Sequence, residues 1–584
     1  MALFGPWWKL KPTILGLLRI NSFRGDYRKH RLHDMNAIPS TGAVDPLPPK
    51  PPEDVRSADG SHNDPGDPQM GRVNTRFGRN SPRNTQFPDP PEKILNPSPR
   101  EVSRQLMARK DFIPASTLNL LAAAWIQFQV HDWFSHGANA KDKPIEVPLK
   151  DGDDWHENPM QIRRTRPDPT RADDGVVHPP TYLNTETHWW DGSQIYGSTQ
   201  DIQNQVRANE DGRLALNAEN LLPLDPEKQV DLTGVNGNWW VGLSLMHTLF
   251  TYEHNAICAH LKKENPSWND EQLFQKARLI NVALISKIHT LDWTPAILAH
   301  PTTVAGMRGT WYGLRGEKRF RENGRPQKPN ELLQGIPGGE QDHHSAPYSM
   351  TEEFVSVYRM HPLMPDDFAF HRMADHHELE TRTLPEVAGP AARKVMENQS
   401  LTDLFYSFGV SHPGAITLHN YPNFLRTLEH PDGRTLDLAS IDIMRDRERG
   451  VPRYNEFRRR VFKDPIKKFE DITDNRDIAE ELRSVYDNDV ESVDLMSGLF
   501  AEDLPPGFGF SDTAFRIFAL MAPRRLKSDR FITDSYNADV YTASGIDWIE
   551  NNGFRSVLLR HMPELAAALG DGANPFAPWR KAGQ

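Results

Sequence analysis

Hydrophobic and polar positions follow a helical period over most of the chain from about residue 100 onward. "PASTLNLLAAAWIQFQVHDWF" (114–134) is apolar nearly all round, so the pattern predicts a central, buried helix starting at Ser116 or Thr117. "VGLSLMHTLFTYEHNAICAHLKKE" (241–264) and "DEQLFQKARLINVALISKIHTLDWTPAIL" (270–298) predict two long helices. "SMTEEFVSVYRMHPLMPD" (349–366) predicts a short one, opened by a capping box from Ser349 to Glu352 and limited by Pro362 and Pro365. On that helix Tyr358 and His361 would share a face. Strand signals are few and short, and the chain carries no internal repeat. The expectation is a mainly α fold with one large domain over 101–584. Ahead of it lie a Pro/Gly-rich extended arm (37–100) and an N-terminal segment (1–36). The arm's composition fits either a disordered linker or an ordered strap.

The N-terminal segment, "MALFGPWWKLKPTILGLLRINSFRGDYRKHR", is aromatic, aliphatic and basic. "TILGLL" is too short for a membrane span or a signal-peptide core. Two readings stand: an interfacial foot with Trp7 and Trp8 at a membrane surface, or a helix packed on the body, which is favoured. A cytoplasmic monomer follows, with membrane association left to the foot. Composition changes this picture in two ways. The 584 residues carry a net charge of −11 with no basic cluster, which argues against a nucleic-acid partner. Cys258 is the single cysteine, which excludes intrachain disulfides and cysteine-rich metal sites.

The chemistry begins with histidines in apolar surroundings. A Tyr-x-x-His pair is near chance in a chain with 13 Tyr and 23 His. However, His131 lies in the most apolar helix, followed at once by Asp132. Two buried histidines on separate apolar helices suggest haem between them; zinc is disfavoured because HExxH is absent. In "TETHWWDGSQIYGS" (185–198), Thr187, Trp189, Asp191 and Ser193 alternate. Hydroxyls, a carboxylate and a carbonyl suit Ca²⁺, with Asp132 as a second carboxylate; a turn with packed Trp residues fits equally.

Taken together, these motifs resemble the haem peroxidase–cyclooxygenase superfamily, and within it the fatty acid α-dioxygenases, over roughly residues 55 to 545. "AAAWIQFQVHDWF" looks like the distal haem helix, with His131 as distal histidine and Gln127 one turn earlier. "THWWDGSQIYGS" looks like the calcium loop, which implies Asp132, Thr187, Trp189, Asp191 and Ser193 as ligands. "TEEFVSVYRMHPLMPD" looks like the proximal helix, with His361 on iron and Tyr358 as radical tyrosine. "IMRDRERGVPRYNEFRR" (443–459) is similar to the superfamily's "RxRDxGxPxYNxFR" segment, and Asp442 just before it would orient His361. Classical peroxidases carry an Arg and an ester-forming Glu upstream of the "MHTLxxxEHN" helix. Here Asn236 and Trp239 stand about there, which implies non-covalent haem b and weaker peroxidase chemistry. "KIHTLDWT" (287–294) resembles the segment that holds a substrate carboxylate, through His289 and Thr294, with Arg524 or Arg525 as the guanidinium partner.

The resemblance implies a haem oxidised by peroxide, with His131 moving the proton. A radical on Tyr358 then takes hydrogen from C2 of a fatty acid, O₂ adds, and the 2-hydroperoxy acid can decarboxylate to the aldehyde one carbon shorter. Rival readings are a haem peroxidase of small donors, a cyclooxygenase- or diol-synthase-like oxygenase of polyunsaturated acids, and a haem-less scaffold.

Overall fold

The computed structural model describes residues 5–41, 46–318, 331–430 and 432–582. Helices dominate. Those used below are α1 (Thr13–His30), α2 (Leu121–Trp133), α3 (Val241–Glu264), α4 (Asp270–Ile288), α5 (Glu352–Val357), α6 (Leu438–Glu448) and α7 (Asp512–Ser528). Strand structure among the described residues is confined to small antiparallel pairs, such as Asp367–His371 with Glu378–Thr383. The mainly α expectation holds. α2 is the hub: it packs across α3, which lies along α4, and ten of its thirteen residues are buried.

Boundaries moved where tertiary contacts overrule local signals. α2 opens at Leu121 with no side-chain cap, not at Ser116 or Thr117. Residues upstream are tied elsewhere: Pro114 bridges Gly414, and the Asn119 amide donates to the carbonyls of Pro575 and Ala577, both at 2.8 Å. The cap of α5 is Thr351, whose hydroxyl accepts from the Phe354 N–H at 3.3 Å, not Ser349. Thr351 pairs with Gly78 in a short bridge, which keeps 349–351 extended so the helix starts only afterwards. α5 then stops at Val357, before Tyr358. His361 precedes Pro362, which disfavours helical backbone there, and opens a separate 3-10 turn. Tyr358 and His361 are therefore neighbours across a tight turn, not on one helical face.

α4 starts at a capping box between Asn269 and Gln272. Its far end widens into a π turn, His289–Trp293, before a short helix from Thr294. Pro295 has no N–H to give to Leu291, which accounts for the slipped register.

The described part of the arm is an ordered strap. The Arg56 guanidinium and the Asn63 amide both hold Asp529, at 2.8 and 3.0 Å, and Arg79 pairs with Glu353 at 3.1 Å. The N-terminal segment is packed at its root: Trp7 is buried and its indole donates to Asp512 on α7 at 2.8 Å. α1 buries Phe23 and Tyr27 but leaves Ile14, Leu15 and Leu18 exposed. No helix among the described residues is long and apolar enough to cross a membrane.

Candidate active site

Two kinds of polar group meet in the core: those set against a charged partner and those left without one. His361 belongs to the first kind. Its Nδ1 lies 2.9 Å from Asp442 on α6. Asp442 also accepts from Arg359 at 2.5 Å and from the Tyr421 hydroxyl at 3.0 Å. Burial alone would raise the Asp442 carboxyl, but the charges of His361 and Arg359 bring it well below the usual range. With Nδ1 held, the other ring nitrogen of His361 is free to bind a metal, the arrangement typical of a metal-bound imidazole.

His131 belongs to the second kind. It is half-buried, with Nδ1 inside the protein and without a partner. Burial lowers its pKa to about 4, so the ring is neutral near pH 7. Gln127, one turn earlier, is anchored: its carbonyl oxygen accepts from the Trp240 indole at 2.7 Å and its amide donates to the Asn238 carbonyl at 3.2 Å. Asn236 is turned away, bonded to Asp225 and Lys228, and Trp239 is buried.

A second group of residues gathers around Trp133. Tyr358 is buried, its hydroxyl has no partner, and burial raises its pKa, so it is a neutral phenol. Its ring stands edge-on to Trp133 at 5.3 Å. His289 stands edge-on to the same Trp133 at 5.2 Å and is stacked on Trp293 at 4.7 Å. The Trp125 indole, which can only donate, gives its N–H to His289 Nδ1 at 3.1 Å. This fixes the tautomer: the proton sits on Nε2, which has no partner in the protein. Burial first and the nearby Arg525 charge second keep His289 far below its ordinary pKa, so it stays neutral.

The two arginines of α7 differ sharply. Successive helical residues point about 100° apart. Arg524 faces outward from the site, donating to the carbonyls of His343, Ala346, Pro347 and Ser349. Arg525 faces in. It is 1% exposed, and none of its three nitrogens makes a hydrogen bond in the protein. Its guanidinium lies over Trp133 at 4.2 Å and Trp190 at 4.6 Å, and its nearest carboxylate oxygen, on Asp132, is 4.0 Å away. Its charge is felt by both Tyr358 and His289. Thr294 adds a buried hydroxyl without a partner.

The calcium-loop residues also gather. Gly192, at φ +75°, turns the chain so that Ser193 opens a short helix beside Asp132. The Ser193 N–H and hydroxyl both donate to Asp132, at 2.7 and 3.0 Å. Thr187 Oγ1, Asp132 Oδ2 and Asp191 Oδ2 are buried without partners. Burial, and each carboxylate's nearness to a second one, raise the pKa of Asp132, as burial does for Asp191. Among the described residues no cluster of three or more His, Cys, Asp or Glu could hold a metal; this set is instead carboxylates plus hydroxyls.

Residues 55–570 match the family model for animal haem peroxidases. The α-dioxygenase PIOX of Oryza sativa subsp. japonica is 37% identical over 98% of this chain and 93% of its own length. The crystal structure of a fatty acid α-dioxygenase from Arabidopsis thaliana superposes with a TM-score of 0.90 at 37% identity, covering 98% of this chain and 90% of that one. A rice fatty acid α-dioxygenase with a Tyr-to-Phe change, crystallised with palmitic acid, gives 0.90 at 36% identity over 99% of this chain and 95% of that one. The chain is an α-dioxygenase of the animal haem peroxidase family. It is thus an oxidoreductase, and the family implies haem. His361, with Nδ1 held, and His131, with its outer nitrogen free, fit that group.

The residue patterns alone missed several residues that shape this family site: Trp133, Trp190, Trp125, Arg359 and Tyr421. The first two sit beside singled-out positions, in "HDWF" and "HWWD". Trp125 and Arg359 also sit in quoted motifs, but their partners, His289 and Asp442, lie far away in the chain, and Tyr421 carries no local signal.

Proposed function

We propose that this α-dioxygenase acts on long-chain fatty acids, inserting O₂ at C2. The observation that carries this reading is Arg525. A guanidinium buried between two indole faces with no hydrogen bond, its nearest carboxylate 4.0 Å away, is costly unless another anion joins it. Arg525, the Nε2–H of His289 and the Thr294 hydroxyl are donors that a carboxylate would satisfy together. A peroxidase of small donors does not call for such a clamp around Trp133, the ring that Tyr358 also meets.

Bound haem, non-covalent and of the b type, would supply the one-electron oxidising power, with His361 as its iron ligand and Gln127 near its distal side. His131, neutral, takes and returns the peroxide proton. Tyr358 would pass one electron, together with its phenolic proton, to the oxidised haem and become the phenoxyl radical. The clamp holds C1, so C2 is the carbon presented to Tyr358. Tyr358 takes a hydrogen atom from C2 and is a phenol again. O₂ adds to the carbon radical, and the peroxyl group takes the hydrogen back from Tyr358. The 2-hydroperoxy acid can then lose CO₂ and water to leave the aldehyde one carbon shorter. The alkyl tail gains roughly 0.8 kcal/mol per buried CH₂, favouring long chains.

Asp132, Thr187, Asp191, Ser193 and the Trp189 carbonyl would hold Ca²⁺, which would compensate two buried carboxylates. The exposed Ile14, Leu15 and Leu18, flanked by Lys9, Lys11 and Arg19, fit transient contact with lipid. The test is product mass analysis with palmitate and linoleate. Both acids should give 2-hydroperoxides and shortened aldehydes. Oxygenation of linoleate at mid-chain, with palmitate inert, would replace this reading by a cyclooxygenase-like one.

A further inference from the structure

Of the buried groups that the scheme above leaves idle, His247 stands out. It lies in α3 within "MHTLFTYEHN" and is 1% exposed, and neither Nδ1 nor Nε2 has a hydrogen-bond partner. An imidazole ring always has at least one donor and, when neutral, one acceptor. Buried polar groups are nearly always paired, so a ring with both nitrogens idle points to a function.

Its surroundings indicate which function. On one side Phe128 meets it edge-on, centroids 4.9 Å apart and planes at 86°. Phe128 is one helical turn before His131 on α2, so His247 sits beside the turn that presents His131. On the other side Trp239 lies against it at 4.9 Å, but that indole is committed to the Ser244 hydroxyl at 2.9 Å and cannot serve the imidazole. Burial, and after it the nearness of His131, keep His247 well below its ordinary pKa. The inward nitrogen of His131, Nδ1, is also buried and idle. Two histidines on packed helices, linked through Phe128, thus each keep buried nitrogens idle.

We propose that one buried water bridges the two rings, accepting the hydrogen bond of His131 Nδ1–H and donating to His247, and so holds His131 with its outer Nε2 bare. His247 is a positioning residue. It rests on the reading of His131 as the group that takes the peroxide proton. Only the bare Nε2 can accept that proton; the opposite tautomer points a hydrogen at the incoming peroxide. The distal arginine of classical peroxidases has no counterpart at Asn236 or Trp239, so setting this tautomer is the means left for readying the distal base. A neutral partner fits the task, because His247 is kept uncharged by its burial.

The test uses the haem-loaded enzyme. In the diamagnetic CO-bound ferrous form, ¹⁵N-histidine NMR reads the tautomer of His131, assigned by the signal lost in His131→Leu. The expected result is a proton on Nδ1 in the wild type; a proton on Nε2 overturns the proposal without any variant at 247. Stopped-flow of the ferric enzyme with H₂O₂ should show His247→Leu slowed at least about tenfold and His247→Gln, whose amide oxygen still accepts, within about threefold of wild type. Equal rates for His247→Leu and wild type also overturn it. If His131→Leu itself reacts at the wild-type rate, what fails is the reading of His131, a separable outcome.

Discussion

The surroundings of His361 and of Arg525 are treated in opposite ways. Around His361 one carboxylate ties the group together: Asp442 serves His361, Arg359 and Tyr421 at once. Around Arg525 nearly none is: its three nitrogens, His289 Nε2, the Thr294 hydroxyl and the Tyr358 hydroxyl are all buried and idle. The paired side is built to hold one geometry. The idle side is built to be completed by something from outside. Satisfied networks rigidify, and unsatisfied ones are tolerated where a ligand supplies the missing partners.

The comparison is broken most severely on the holding side. Asp442→Ala should cost about 10- to 100-fold in haem affinity, because His361 loses the partner of Nδ1; haem titration of the apoprotein measures it. Unchanged affinity would mean that the contact is incidental. On the idle side, Arg525→Met should raise KM for palmitate and cost about 1.5–3 kcal/mol of carboxylate binding, a ten- to hundredfold fall in kcat/KM. The adjacent Arg524→Met sharpens the contrast. It should leave KM unchanged and lower only thermal stability, since four carbonyls lose their donor. If the two substitutions behave alike, the distinction between held and idle groups is wrong.

A smaller effect comes from pH. Burial lowers His254 to about 4, against an ordinary 6.5. Between those values the unfolded chain binds a proton at this site and the folded one does not, so stability is full above pH 6.5 and is lost as pH falls toward 4. The loss from this histidine is about 2 kcal/mol at pH 5 relative to neutral pH. Calorimetric melting of wild type and His254→Phe at pH 7 and pH 5 should show a smaller drop in the variant.

Much of this was legible in the residues. α3 runs over the predicted bounds, and the motifs around His131, Asp191, His289 and His361 do converge on one core. What was illegible has a common cause. The start of α2 is set by contacts with 413–414 and 575–577, and the start of α5 by a bridge to Gly78. Neither partner is near in sequence. The choice between Arg524 and Arg525 needed the helical phase relative to Trp133 and Trp190, which composition does not carry. Trp125 as the residue that fixes the His289 tautomer is likewise 164 positions away from its partner.

The central claim is that Tyr358 carries the radical that attacks the fatty acid held by Arg525 and His289. The most direct measurement is oxygen uptake with palmitate by haem-loaded Tyr358→Phe, beside peroxide-driven oxidation of a small phenol. The account predicts that oxygen uptake disappears while haem content and phenol oxidation persist. Palmitate-dependent oxygen uptake at the wild-type rate in that variant would contradict it.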